Sequence, residues 1–176
     1  VAWVNSKAPE IGGITADTAD PSDGRIERDA AGAPSGTLHE GAMDLVGRFE
    51  PDDTPTDLEA ALRLGQAYLH SLGITAWQDA IVRPETEERA YVALAASGEL
   101  TARVIGAMWW EHHRGAEQIE EFVERRRATA IGRYAPTSVK LMMDGVLENF
   151  TGALLDPYLD ADGRTTDNRG LLQIDP

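Results

Sequence analysis

Apolar positions along this chain change their spacing near residue 56, and that change divides the sequence. From Thr56 onward Leu58, Leu62, Gly65, Leu69 and Leu72 recur at helical spacing until Gly73, a pattern that predicts an amphipathic helix ending at a glycine. Thr56 and Glu59 are spaced as a capping box at its start. Ile74–Gln78 then predicts a strand ending at Asp79. A second helix is expected over about 84–97, with Pro84 in its first turn and Gly98 after its end. Thr101–Trp109 predicts a second strand, about 115–130 a third helix, and Thr137–Met143 a third strand. The strand centres at Ile74, Val104 and Val139 lie about 30 and 35 residues apart, the length of a βαβ unit. Successive right-handed crossovers of that length make a parallel sheet.

Residues 1 to about 55 are different. They are rich in Gly, Pro, Asp and Ala, with weak helical periodicity. Gly24–Arg28 and Ser35–His39 flank a glycine-containing turn, which predicts a hairpin or paired irregular strands. A short helix is expected over about 40–46. The expected organisation is therefore a hairpin-containing segment over 1–55, followed over 56–176 by about three βα units. Three such strands fall short of a closed eight-stranded barrel of roughly 250 residues, so the expected α/β fold is a partial (β/α)8, TIM-like barrel.

The composition is that of a folded protein: of 176 residues, 42% are hydrophobic and 26% charged. No apolar run approaches the roughly 20 residues that span a bilayer. A net charge of −14 argues against nucleic acid or an anionic membrane as partner. The one basic run, Arg125–Arg127, follows Glu117, Glu120, Glu121 and Glu124 and reads as a solvated helix face with acid-then-base polarity. Without cysteine there is neither a disulfide nor a thiolate-bound metal. The chain opens on Val1 and stops at Pro176, ends expected of a piece cut from a longer polypeptide, so a missing leader says little about location; the cytoplasm is the expected one.

The chemistry concentrates in Ser138-Val-Lys-Leu-Met-Met-Asp-Gly-Val146, an apolar strand with a lysine inside it. A buried ammonium has to be neutralised, paired or modified. Lys140 is thus the first candidate for a functional role, against the alternative that it snorkels or pairs with Asp79 or Asp144. Asp79 and Asp144 each follow a strand, where a carboxylate either faces a pocket or caps a turn. Trp109 and Trp110 are candidates for lining a substrate pocket. The adjacent His112 and His113 point different ways and make a poor chelate. Glu148 and Asn149 follow the lysine strand closely enough to approach a ligand. Trp3, Trp77 and the Met142–Met143 pair read as core.

Seven segments carry a family likeness. They are Trp3-Val-Asn-Ser6 with Gly13-Ile-Thr15; Gly24-Arg-Ile-Glu-Arg-Asp29; Gly32-Ala-Pro-Ser-Gly-Thr-Leu38 with Glu40; Leu72-Gly-Ile-Thr-Ala-Trp-Gln-Asp-Ala80; Gly98-Glu-Leu-Thr-Ala-Arg-Val104; Val139-Lys-Leu-Met-Met-Asp-Gly-Val146; and Thr151-Gly-Ala-Leu-Leu-Asp-Pro-Tyr158. In this order the chain resembles the amidohydrolase superfamily, in the family 3 branch that includes N-substituted formamide deformylases. The resemblance implies a metal-dependent hydrolase of amide- or formamide-type C–N bonds, with one or two divalent ions, zinc being the expected metal. It implies that Lys140 matches the metal-binding lysine of the fourth barrel strand, often carboxylated. The implied substrate is a small amide-type molecule. The family's His-x-His pair is missing, and none of His39, His70, His112 and His113 falls where a family ligand would. As an isolated fragment the chain is expected to hold at most one metal ligand and to be inactive. Open sheet edges favour a homo-oligomer. Two rival expectations are a non-catalytic α/β module that self-associates and a complete small binding protein echoing the family.

Overall fold

A computed structural model describes residues 1–174, which form two compact units: Val1–Pro51 with the residues from Met142 onward, and Asp52–Leu141. The chain passes from the first unit to the second at residues 51–52 and back at 141–142. Residues 142–174, however, group with the N-terminal segment instead of with the βα units. Their bonds explain this: the buried Thr151 hydroxyl reaches Glu40 Oε1 at 3.0 Å, and Arg25 donates to the Asn149 carbonyl at 3.2 Å.

The first unit holds β1 (Ala2–Trp3), α1 (Lys7–Gly12), β2 (Gly24–Arg28), β3 (Pro34–Glu40), a 3-10 turn at Gly41–Met43, and α2 (Asp44–Gly47). The expected hairpin forms: β2 and β3 pair antiparallel with Arg25 opposite His39 and Ile26 opposite Leu38, and β1 joins the other edge of β3. Asp29 builds the turn, its Oδ1 accepting from the amides of Ala31 and Ala33 at 2.9 Å each, a local carboxylate–backbone turn. Ile14, Ile26, Leu38 and Ala42 form the buried core. Gly24 is required here, since a Cβ would lie 2.3 Å from the Ala42 nitrogen. Helix α1 escapes the sequence pattern because it buries no residue. Trp3, expected in the core, is 90% exposed, and Met143 is exposed too; β1 is two residues long and puts nothing over the indole.

The second unit holds α3 (Pro55–Ser71), β4 (Ala76–Val82), α4 (Glu87–Ser97), β5 (Arg103–Trp109), α5 (Gln118–Thr129) and β6 (Tyr134–Lys140). The strands form a parallel sheet in the order β4-β5-β6. The architecture is thus mixed α/β, built from alternating strands and helices. Helix α3 begins two residues earlier than expected: Thr54 accepts from the Asp57 amide at 3.2 Å, and the Thr54 amide donates back to Asp57. Pro55 decides this, because its fixed φ and missing N–H suit the first helical position. Strand β6 lies three residues earlier than expected. Tyr134, 1% exposed, anchors its start in a core made with Val82, Tyr91, Leu94, Leu100, Ala102 and Val104. Tyr134 stacks on Tyr91 with ring centroids 5.0 Å apart. The Tyr134 ring passes over Gly106, where a Cβ would meet its hydroxyl at 2.7 Å.

Polar side chains lock the helices onto the sheet. Gln66, buried on α3, accepts from the amides of Thr101 and Ala102 at 2.9 and 3.1 Å and donates to the Glu99 carbonyl at 3.0 Å. Glu88, buried on α4, accepts from Arg125 Nε at 3.1 Å and from the Thr129 hydroxyl at 3.0 Å. Among the described residues no helix is long and apolar enough to cross a membrane.

Candidate functional site

The two faces of the parallel sheet are chemically different, and strand alternation decides which residue lies on which. Trp77, Val104 and Tyr134 are mutual partners in the register and lie under the helices. Asp79, two residues beyond Trp77, belongs to the same face: its Oδ2 accepts from the Tyr91 hydroxyl at 2.8 Å, and Trp77 Nε1 donates to that hydroxyl at 3.3 Å. Burial first, and the Asp79 carboxylate beside it, raise the Tyr91 phenol well above its usual range. The phenol stays protonated and serves as the donor that fixes Asp79. The opposite face carries Gln78, Ile105, Ala107 and Ser138. Gln78 Nε2 donates to Ser138 Oγ at 2.9 Å, bridging β4 to β6 above β5.

Lys140 is two residues beyond Ser138 and pairs in register with Trp109, so its side chain leaves the sheet on the Gln78–Ser138 face at the carboxyl end of β6. Its neighbours in sequence, Val139 and Leu141, line an apolar groove with Ile119 and Phe122 of α5. Lys140 is half-buried, and its Nζ makes no hydrogen bond or ion pair among the described residues. It ends the strand instead of sitting in its middle, because β6 is set three residues earlier. The pairing of Lys140 with Asp79 is not formed; the two leave the sheet on opposite faces.

Trp109 and Trp110 diverge. Trp109 lines a cavity of about 280 Å3 with Arg83, Glu85, Glu111 and Arg125, whereas Trp110 packs on Phe122 with centroids 5.7 Å apart and donates its backbone N–H to the Lys140 carbonyl at 3.0 Å. In the first unit Asp144 caps a loop, its Oδ2 accepting from the Ala153 amide at 2.9 Å. Asp79 and Asp144, each read from sequence as facing a pocket or capping a turn, both accept from protein groups, and Asp79 also lines a cavity of about 270 Å3 with Leu62, Gln66, Trp77 and Tyr91. His112 and His113 are exposed. Among the described residues no group of three or more His, Asp or Glu side chains could hold a metal.

Sequence reading overlooked a second constellation, in the first unit. His39, 6% exposed, has Nε2 at 3.2 Å from Glu27 Oε2 and 3.4 Å from Arg25 Nη2. The signal was present: Arg25, Glu27 and His39 alternate along two strands that pair with Arg25 opposite His39.

A sequence profile described as "Amidohydrolase family" matches residues 1–173. The chain belongs to the amidohydrolase family. Within that family it is 33% identical over 163 residues to an N-substituted formamide deformylase of Arthrobacter pascens, covering 90% of this chain and 29% of that protein. It is 29% identical over 166 residues to the putative amidohydrolase YtcJ of Bacillus subtilis (strain 168), covering 89% and 29%. An exoenzymes regulatory protein, AepA, of Pectobacterium carotovorum subsp. carotovorum is 30% identical over 159 residues, covering 89% and 34%. The fold resembles that of an uncharacterized metal-dependent hydrolase from Pyrococcus horikoshii, with a TM-score of 0.57, 20% identity, and coverage of 96% of this chain and 31% of that one. This amidohydrolase-family chain thus spans about a third of the length of the curated relatives it matches.

Proposed function

We propose that this chain is an arc of a (β/α)8 barrel, with residues 56–141 as its βα units, within a metal-dependent hydrolase of amide- or formamide-type C–N bonds. The observation that carries the reading is the placement of Lys140. In a closed barrel the face opposite the helices is the interior, and the carboxyl ends of the strands form the active-site mouth. An amine at that end, on that face, with no partner among the described residues, is available to take up carbon dioxide, losing a proton and becoming an anionic carbamate with oxygen donors.

Among the described residues the side chains fit one metal ligand and no more, since no cluster of carboxylates and histidines accompanies the lysine. The other ligands of a zinc or similar divalent ion would belong to a longer polypeptide, consistent with the share of the relatives that this chain spans. Such an ion supplies an acidified water and a Lewis acid for the scissile carbonyl. What this chain contributes is placement: the Gln78–Ser138 bridge ties β4 to β6, and the buried Glu88–Arg125 pair holds α4 against α5. The name of the deformylase relative favours a small N-substituted amide as substrate, and Trp109 stands at the end of β5, where it would meet one. The location proposed is the cytoplasm.

The test uses a longer polypeptide that contains this chain, measuring bound metal and hydrolysis of N-formyl and N-acyl amines. Lys140→Ala should lower both by about tenfold or more. Unchanged metal content and turnover would defeat the proposal.

A second reading is favoured by one observation. Leu64 and Tyr68 on α3, with Leu72 at its C-cap, form a stripe that is exposed at 73%, 65% and 59%, and β4 and β6 are both edge strands. These features support a self-associating, non-catalytic module. Light scattering on this chain at increasing concentration tests it, with a concentration-independent monomer as the contrary result.

A further inference from the structure

We propose that the first unit carries its own small-molecule site, a cleft that takes an uncharged amide bearing an aromatic or alkyl substituent. The cleft has a volume of about 480 Å3 and lies between β2 and the loop that follows Phe150. Arg25 and Glu27 enter it from β2; being two residues apart, they share one face of the strand. Phe150 and Tyr158 enter from the loop, edge to face, with centroids 5.3 Å apart.

Most polar groups around the cleft are already used by the protein. The Tyr158 hydroxyl donates to the Gly152 carbonyl at 2.6 Å. Asn168 donates to the Phe150 carbonyl and accepts from the Gly170 amide, both at 2.9 Å. The Thr166 hydroxyl donates to the Tyr158 carbonyl at 2.8 Å. Asp160, at the exposed rim, uses Oδ1 to hold its own turn. Inside the rim, where Asp160 Oδ2 also has no partner among the described residues, two groups keep unused capacity. Arg25 engages only Nη2, which donates to Glu27 Oε2 at 3.3 Å and to the Asn149 carbonyl at 3.2 Å; its Nη1 and Nε have no partner among the described residues. Glu27 engages only Oε2 of its carboxylate, leaving Oε1 without a partner among the described residues.

A free donor beside a free acceptor, next to an aromatic wall, is the complement of an amide: the carbonyl accepts from the guanidinium and the N–H donates to the carboxylate. An anion meets the carboxylates of Glu27 and Asp160 and a cation meets Arg25, so a ligand with net charge of either sign faces a like charge in the cleft. Buried His39, touching both members, fixes their positions. Phe150 has φ 57° without being glycine. That conformation ends the 3-10 turn Leu147–Asn149, the Phe150 N–H donating to the Leu147 carbonyl, and the ring lines the cleft. The inference stands apart from the hydrolase reading, since it concerns binding to this unit with or without turnover.

The experiment titrates this chain with N-benzylacetamide, followed by calorimetry and by amide chemical shifts. Saturable binding is expected, with shifts gathered at Arg25, Glu27, Phe150, Tyr158 and Asn168. Benzylamine and phenylacetate should bind more weakly. Arg25→Met should weaken the amide by about tenfold or more, the loss of a charge-assisted hydrogen bond, while Arg48→Met should not. If Arg25→Met fails to fold, Phe150→Asn, which tolerates the left-handed backbone, removes the wall and should give a comparable loss. Absence of saturation, shifts gathered in the second unit, full affinity in both variants, or a charged analogue binding as tightly as the amide would each overturn the proposal.

Discussion

Replacing Gln66 by Met tests how the second unit is held. The two side chains are similar in length, so the change removes hydrogen bonds with little change of volume. Gln66 accepts from two amides, of which Ala102 lies in a fully buried residue and Thr101 in an exposed one, and it donates to the carbonyl of Glu99. Leaving a buried donor without a partner costs about 1–3 kcal/mol, and an ordinary hydrogen bond contributes about 0.5–1.5 kcal/mol. Counting the Ala102 amide at the first rate and the Thr101 amide at the second, with water replacing the bond at Glu99, Gln66→Met should cost about 1.5–4.5 kcal/mol. Urea unfolding followed by the fluorescence of Trp77 reads this directly, with an unchanged slope and a lower midpoint. Leu64→Gln on the same helix is the control; at an exposed position it should fall within about 0.5 kcal/mol of the parent. A loss below about 1 kcal/mol for Gln66→Met, or equal losses for the two variants, would refute the assignment of Gln66 as the clamp between α3 and the start of β5.

Glu88→Ala should destabilise by about 3–5 kcal/mol, because it strands Arg125, whose side chain is 17% exposed, without its partner; Glu88→Gln, which keeps acceptor and shape, should lose less in the same unfolding assay. The third prediction concerns acid. Arg63 Nε donates to Glu99 Oε2 at 2.6 Å, and this contact with Arg63, then that with Ser97, lowers the Glu99 carboxyl from its usual 4.5 to about 2. A carboxyl depressed in the folded state stabilises above its unfolded value and loses that contribution as pH falls toward its folded one. Midpoints measured from pH 5 to pH 2 should therefore fall less steeply in Glu99→Gln than in the parent, and parallel curves would contradict the pair.

Much of the second unit was legible in the residues themselves. Gly73 and Gly98 take the left-handed backbone that ends α3 and α4, and both could be read as stops because no other residue adopts that conformation so cheaply. The spacing of the strands pointed to their parallel direction. Strand limits were harder. Tyr134 and Pro136 look like loop residues in isolation, yet the pairing with β5 draws them into β6 and moves Lys140 to its end. The fate of Asp79 was hidden for a related reason: its face depends on register with Val104 and Gly106, and its partner Tyr91 lies on a different element. Trp3 misled because size alone argues for burial, whereas nothing in a two-residue strand supplies the cover. The cluster of His39 with Arg25 and Glu27 needs a hairpin register before its members meet, so composition gives no hint of it.

Tyr134 and Gly106 make a single steric unit across two neighbouring strands. The sheet can carry a broad ring at one of these positions only while the other remains bare backbone. Variation in this lineage must therefore treat the two codons as one character: a methyl group gained at position 106 demands a smaller residue at 134, and the stacking partner Tyr91 would then lose its platform as well.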